Sequence, residues 1–166
     1  MPRFIFFKGL YSTLDLYTDE MLRICRERGY DSFVLHTTQG EDASCMHISE
    51  EQEKEEREDL LRFLKEPVTA AVGFGNMGLR YEMDGIGNIW DAFAVPYIDV
   101  MMDHPFHFSG IFRYAAKQTA LLCPDRNHVS YIRRFFPEIA CADFLPHAGI
   151  ELPGEKKPIR ERGIEV

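Results

Sequence analysis

The sequence predicts one α/β domain, a parallel β-sheet with helices on both of its faces. Short apolar strands alternate with helical segments, and no Asn-Gly pair between two strands signals a hairpin. This order favours right-handed crossovers between parallel strands. The length of 166 residues and the hydrophobic content of 45% suffice for one substantial core and are small for two domains.

The predicted strands are short apolar runs bounded by polar residues, glycine or proline. They are Phe4–Phe7, Ser32–Leu35, Val68–Val72, Val95–Met102, Thr119–Cys123 and Ala142–Leu145. Ligands of parallel α/β sheets bind at the carboxyl ends of the strands. We therefore expect a functional site where these runs end.

The predicted helices have apolar residues three or four positions apart, the spacing of one buried stripe. They are Leu14–Arg28, Glu50–Leu64, Asn88–Phe93, Ile111–Lys117 and a helix that is capped by Asp125 and ends at Pro137. Ser49 and Gln52 form a capping box for the second helix. Its acidic first half, in which Glu53 and Arg57 form an i,i+4 pair, predicts a solvent-facing surface.

Composition excludes several classes of function. A net charge of −8 and a pI near 5.2 argue against binding to nucleic acid. No apolar stretch approaches the ~18 residues of a transmembrane helix, and Met1–Phe4 begins no signal-peptide pattern, so we expect a cytoplasmic protein without a membrane span. The four cysteines form no CxxC pair, and the sequence has no GxSxG, SxxK, Walker A or HExxH motif.

The domain is predicted to occupy residues 1–150. Residues 151–166 are polar, interrupted by proline and glycine, and without periodicity. We expect this tail to be a linker or the start of a further, C-terminal domain.

The glycine segment, Gly73–Gly78, matches the GxGxxG pattern of dinucleotide-binding loops and follows a strand. It follows the third strand instead of the first, and no amphipathic helix begins at Gly78. Asp99, where a ribose-binding acid would stand, lies inside a predicted strand. We favour a tight-turning loop, with cofactor binding at Gly73, Gly75 and Gly78 as the alternative.

Polar side chains follow the apolar strands at several points. Asp103, His104 and His107 follow the strand at Val95–Met102, and a carboxylate beside an imidazole suits a general base or a substrate clamp. The same residues suit a metal-dependent hydrolase, although their spacing matches no standard zinc signature, so no metal is predicted. The structural alternative is that both histidines bond only to loop carbonyls.

Further candidates stand at the ends of neighbouring strands. The helix that Asp125 caps begins with Asn127 and His128, His147 follows the last strand, and Gly9 closes the first. Because carboxyl ends of parallel strands share one edge, these residues predict a cleft for a hydroxyl-bearing or anionic ligand.

The order of these motifs resembles the N-terminal half of bacterial GT-B-type glycosyltransferase-like proteins. The resemblance rests on Val95-Pro96-Tyr97 with Asp103-His104-Pro105, on the segments Asp125–Val129 and Tyr131–Pro137, and on Phe144–Gly149. It covers mainly Val68–Gly149. It implies a Rossmann-like acceptor-side domain that faces a second domain carrying the nucleotide-sugar donor.

The resemblance also implies roles for the candidates. Asp103 and His104 would be catalytic, and Gly9, His107, Asn127, His128 and His147 would bind a small-molecule or glycan acceptor. The nucleotide sugar would bind the second domain, so this chain is expected not to transfer sugar alone. The alternative is a free-standing Rossmann-like module that binds a nucleotide or a protein partner without catalysis.

Overall fold

The computed structural model describes residues 1–9, 12–36, 49–149 and 161. Its strands are β1 (Arg3–Lys8), β2 (Asp31–His36), β3 (Ala70–Phe74), β4 (Glu82–Met83), β5 (Gly87–Asn88), β6 (Tyr97–Val100), β7 (Thr119–Cys123) and β8 (Cys141–Phe144). Its helices are α1 (Ser12–Arg28), α2 (Glu50–Phe63), α3 (Ile89–Ala92), a 3₁₀ turn (Pro105–Phe108), α4 (Ser109–Phe112) and α5 (Arg126–Phe135).

The main sheet is parallel throughout and has six strands in the order β2-β1-β3-β6-β7-β8. This confirms the predicted α/β, Rossmann-like fold. The chain runs outward from β1 to β2 and then crosses back to β3, so the strand order reverses between β1 and β3. Such a reversal is a common ligand position in open α/β sheets.

The core lies on both faces of the sheet, because alternate side chains of a strand point to opposite faces. Ile5 and Phe7 of β1 join the larger cluster, together with residues of α2 and α5. Phe6, between them, packs in a second cluster with Cys25 of α1. The Thr18 hydroxyl of α1 also donates to the carbonyl of Phe7 at 2.8 Å.

Two predicted features of α2 are confirmed. The Ser49 hydroxyl accepts from the amide of Gln52, and the Gln52 side chain accepts from the amide of Ser49. Arg57 and Glu53 form the expected ion pair at 2.6 Å. Leu60 is the buried residue of this helix, which leaves its acidic first half at the surface.

The prediction of a helix over Ile111–Lys117 was wrong. The helical turns lie at Pro105–Phe112, where the His104 side chain caps the first turn and Pro105 takes its first position. Proline suits that position because its missing N–H has no helical partner there. This helical stretch begins at a cap and a proline and not at an apolar stripe, so the apolar spacing over Ile111–Lys117 placed it too far along the chain.

One hairpin was not predicted. β4 and β5 pair antiparallel around Asp84-Gly85-Ile86, with Gly85 at φ 76° and Gly87 at φ 80°. Strands of two residues cannot show the alternation that predicts a strand, so the sequence contains no strand signal here. Elsewhere the predicted strands are correct to within a few residues at each end.

Several predictions fall on residues outside those described. They are the loop at Thr37–His47, the cysteine Cys45 and, apart from Glu161, the tail 151–166. Within the described ranges, no helix is long and apolar enough to span a membrane.

Candidate functional site

Three of the predicted histidines meet at the carboxyl ends of β6, β7 and β8. His104 follows β6, His128 lies in the first turn of α5 after β7, and His147 follows β8. The rings of His104 and His128 meet edge to face with centroids 4.5 Å apart. The Nε2 of His147 lies 2.9 Å from the carbonyl oxygen of Met101, three residues before His104, so His147 also lies at this end of β6.

His104 is held as a neutral imidazole that donates. Its Nδ1 accepts from the amide of Phe106 at 3.1 Å. An amide N–H can only donate, so Nδ1 carries no proton and the ring proton lies on Nε2. His104 therefore offers its Nε2–H to a ligand, and its one acceptor lone pair, on Nδ1, is already used by the backbone.

In His147 the backbone occupies the other ring nitrogen, Nε2. Its Nε2 lies 2.9 Å from the carbonyl oxygen of Met101, which can only accept, so Nε2 carries the proton. In the neutral ring Nδ1 is then a lone pair, and none of the described residues bonds to it. A backbone carbonyl that fixes the tautomer is a common way to orient a basic imidazole.

His128 is the least solvated of the three. Its Nδ1 is buried and has no hydrogen-bond partner among the described residues. Burial, followed by the effect of His104, lowers its pKa below the usual 6.5; Asp125 opposes the shift and His147 adds to it. His128 is therefore neutral at pH 7.

Tyr131 belongs to the same site, although sequence analysis did not select it. Its ring meets that of His104 with centroids 5.3 Å apart and that of Phe135 at 4.8 Å. The signal was present, because Tyr131 follows His128 by three residues on a helix and so shares its face. We call His104, His128, Tyr131 and His147 the histidine cluster.

For the other predicted site residues, no hydrogen bond, ion pair or ring contact joins a side chain to this cluster among the described residues. Asp103 is exposed, and no hydrogen bond or ion pair joins its side chain to another described residue. His107 is exposed and its ring contacts Phe106. Asn127 uses only its backbone amide, which donates to Asp125 at 2.6 Å.

The described residues bring together no group of three or more His, Cys, Asp or Glu side chains placed to hold a metal ion. Of the three imidazoles, those of His104 and His128 contact each other through their rings, and that of His147 is bonded to the Met101 carbonyl.

The glycine segment has a structural reason for its glycines. A Cβ at Gly73 would overlap the Met77 carbonyl and the Tyr97 hydroxyl, and one at Gly78 would overlap the ring of Phe7. The amides of Gly75 and Asn76 donate to Val100 and to Asp99 at 3.0 and 2.8 Å. These two amides are thus used within the protein, and cofactor binding at Gly73, Gly75 and Gly78 stays a prediction.

A carboxylate lies after β1, where the strand order of the sheet reverses. The amide of Gly9, at φ 101°, donates to Asp15 in the first turn of α1 at 3.0 Å. In Rossmann-type sites a ligand phosphate takes the amides at this helix start. Here the Asp15 side chain accepts from the amide of Gly9, which precedes that helix, and its negative charge opposes a phosphate at this position.

Asp99 of β6, like Tyr131, was not among the predicted site residues. It is 0% exposed, and burial raises its pKa to about 7 although the Asn76 amide and the Tyr97 hydroxyl oppose the shift. Its Oδ2 has no partner among the described residues. Its position inside an otherwise apolar strand was visible, but which face it points to was not.

Comparisons of the chain with protein-family models, with curated proteins and with solved structures found no match in any of the three. The function must therefore be argued from the histidine cluster and the fold.

Proposed function

We propose that this chain is the acceptor-side domain of a GT-B-type glycosyltransferase and that its histidine cluster binds the acceptor. The observation that carries the proposal is that His104, His128 and His147 lie at the carboxyl ends of three adjacent parallel strands. That edge is where α/β sheets bind ligands. The motif order that resembles this family ends at the same residues.

The cluster offers complementary chemistry to a hydroxyl group. The Nε2–H of His104 donates to the acceptor, and the Nδ1 lone pair of His147 takes the hydroxyl proton as the new glycosidic bond forms. The base is assigned to His147 and not to His104, because Nδ1 of His104 already accepts from the Phe106 amide. The catalytic role of Asp103 stays a prediction. Tyr131 and His128 supply ring surfaces beside the reacting group.

The nucleotide-sugar donor is proposed to bind a second domain. Transfer requires that domain to present the anomeric carbon to the acceptor. The Asp15 carboxylate at the start of α1 supports this division, because it opposes phosphate at the position where a Rossmann-like domain would hold it.

The test is acceptor-dependent release of nucleoside diphosphate by the protein that contains this chain in its natural reading frame. UDP-glucose, UDP-N-acetylglucosamine, GDP-mannose and dTDP-rhamnose are supplied as donors with mono- and disaccharide acceptors. We expect one donor to react. Removing the base in His147→Gln should lower kcat by 10²-fold or more, and His104→Gln should mainly raise KM for the acceptor.

His36→Gln is the matched control. His36 lies on β2, at the far edge of the sheet, where it pairs with Glu56 at 2.6 Å. We expect its activity to equal that of the unaltered protein. Activity with none of the four donors, or equal activity in His147→Gln and His36→Gln, would contradict the proposal.

A further inference from the structure

Helix α5 carries a row of rings that continues beyond the histidine cluster. Its residues His128, Tyr131 and Phe135 lie three and then four positions apart, so they share one side of the helix. The ring of Tyr131 contacts that of His104 with centroids 5.3 Å apart and that of Phe135 with centroids 4.8 Å apart. The row therefore runs from the histidines to Phe135 without a gap.

Phe135 is the exposed end of this row. It is 55% exposed, whereas Val129 and Ile132, on the neighbouring side of α5, are buried in the core. Phe135 thus contributes little to the packing of the domain. Aromatic side chains supply much of the contact area in ligand sites, so an exposed ring that continues a polar site favours a role in binding.

Two polar groups border the exposed end of the row. The guanidinium carbon of Arg134 lies 5.3 Å from the centroid of Phe135. Within the described ranges, neither this guanidinium nor the Tyr131 hydroxyl has a hydrogen-bond or ion-pair partner. A wholly apolar partner would cover these groups without pairing them, which costs free energy. A sugar unit suits them better, because its ring has an apolar C–H face and a rim of hydroxyl groups.

The row is longer than one sugar ring. Seven residues separate His128 from Phe135, which corresponds to about 10 Å along a helix. A sugar unit whose hydroxyl lies between His104 and His147 occupies the histidine end. The next unit of the same glycan then lies against Tyr131 and Phe135.

We propose that Tyr131 and Phe135 form a second sugar subsite, so that the acceptor is a disaccharide or a longer glycan. The reacting unit binds at the histidines. The next unit lays the C–H face of its ring on Phe135, while Arg134 and Tyr131 donate to its hydroxyl groups. This inference rests on the proposed function, because it extends the ligand that the histidine cluster holds. The subsite contributes binding and no chemistry.

The test is an NMR titration of the 166-residue chain with matched pairs of a monosaccharide and a disaccharide. The pairs are glucose and cellobiose, galactose and lactose, and N-acetylglucosamine and chitobiose. For the pair that binds, both sugars should shift the ring signals of His104, His128 and His147, and only the disaccharide should shift those of Phe135. One added ring contact should make Kd about tenfold lower for the disaccharide.

Phe135→Ala should raise Kd for the disaccharide to that of the monosaccharide and leave the latter unchanged. Arg134→Gln should also weaken only the disaccharide. Phe93→Ala is the matched control, because Phe93 is likewise exposed, at 39%, and no ring contact joins it to the histidine cluster in the described part of the chain. Both Kd values should there equal those of the unaltered chain.

The outcomes separate this inference from the proposed function. If none of the six sugars shifts the three histidine rings, the proposed function and the subsite are both contradicted. If the histidine rings shift with equal Kd for both members of a pair, in the unaltered chain and in Phe135→Ala, only the subsite is overturned. It is also overturned if Phe135→Ala leaves Kd unchanged and instead dissociates a dimer in sedimentation, since a second copy of the chain then covers Phe135.

Discussion

His147 donates from Nε2 to the carbonyl of Met101 at 2.9 Å, across 46 residues of sequence. With the bond from the Leu145 amide to the Cys123 carbonyl, it ties the segment after β8 to the ends of β6 and β7. The histidine cluster is thus assembled by backbone contacts at the edge of the sheet. Its geometry depends on the path of that segment.

Replacing His147 should loosen this segment at modest cost to global stability. His147→Ala loses one partly buried hydrogen bond, so we expect the free energy of unfolding to fall by about 1 kcal/mol. Urea unfolding measures the change. His107→Ala is the control, since the exposed imidazole contacts only a neighbouring ring, and its change should stay within about 0.5 kcal/mol. Equal losses in both variants would contradict the anchoring role.

The glycines of the GxGxxG pattern should be required without any ligand. In Gly73→Ala and Gly78→Ala the added Cβ would overlap backbone or ring atoms that cannot move freely. We expect each to lower stability by about 2 kcal/mol or more, measured by thermal unfolding of the isolated chain.

Gly110→Ala provides the comparison, because it lies in α4 and a Cβ there meets nothing within 4 Å. Alanine favours a helix over glycine by about 1 kcal/mol, so this variant should equal the unaltered chain or exceed it in stability. Normal stability of Gly73→Ala, together with loss of nucleotide binding, would instead support the cofactor site.

Much of the fold followed from the sequence because the strands are apolar on both faces, as in β3, where every residue is buried. The carboxyl-end position of His104, His128 and His147 followed from the same parallel order. The two-residue β4 and β5 did not, because strands of that length carry no alternating pattern. The position of α4 was also missed, although that of the equally short α3 was predicted.

The roles of the individual site residues were harder to predict from the sequence than the fold. Asp103 and His104 stand side by side in the sequence, yet the Asp103 side chain bonds to no other described residue, while His147, 43 positions after His104, lies with it at the end of β6. Which ring nitrogen is free depends on backbone groups that no spacing reveals. The burial of Asp99 likewise depends on the face of β6 that it occupies.

Asp99 should make the protein less stable as the pH rises. Its pKa is 3.8 when unfolded and about 7 when folded, so the folded state binds more protons between these values. The contribution of Asp99 to the free energy of unfolding is therefore greatest below about pH 4 and falls between pH 4 and pH 7. Above pH 7 it no longer changes with pH.

Asp99→Asn should consequently be more stable than the unaltered chain at pH 8, by on the order of 2 to 4 kcal/mol. At pH 4 the two should be similar, since both carry a neutral side chain at this position. Urea unfolding at the two pH values measures the difference. A variant that is less stable at pH 8 would show that the charged carboxylate is favourable in the fold.

The most direct test of the histidine cluster as the ligand site is an NMR titration of the chain with soluble sugars, namely glucose, galactose, N-acetylglucosamine and lactose, with ADP as a separate arm. The account predicts that one sugar shifts the ring signals of His104, His128 and His147 together, with one Kd, and leaves His36 unchanged. No response to any sugar, or an ADP response at the amides of Gly9 and Gly75 with the three rings unmoved, would contradict it.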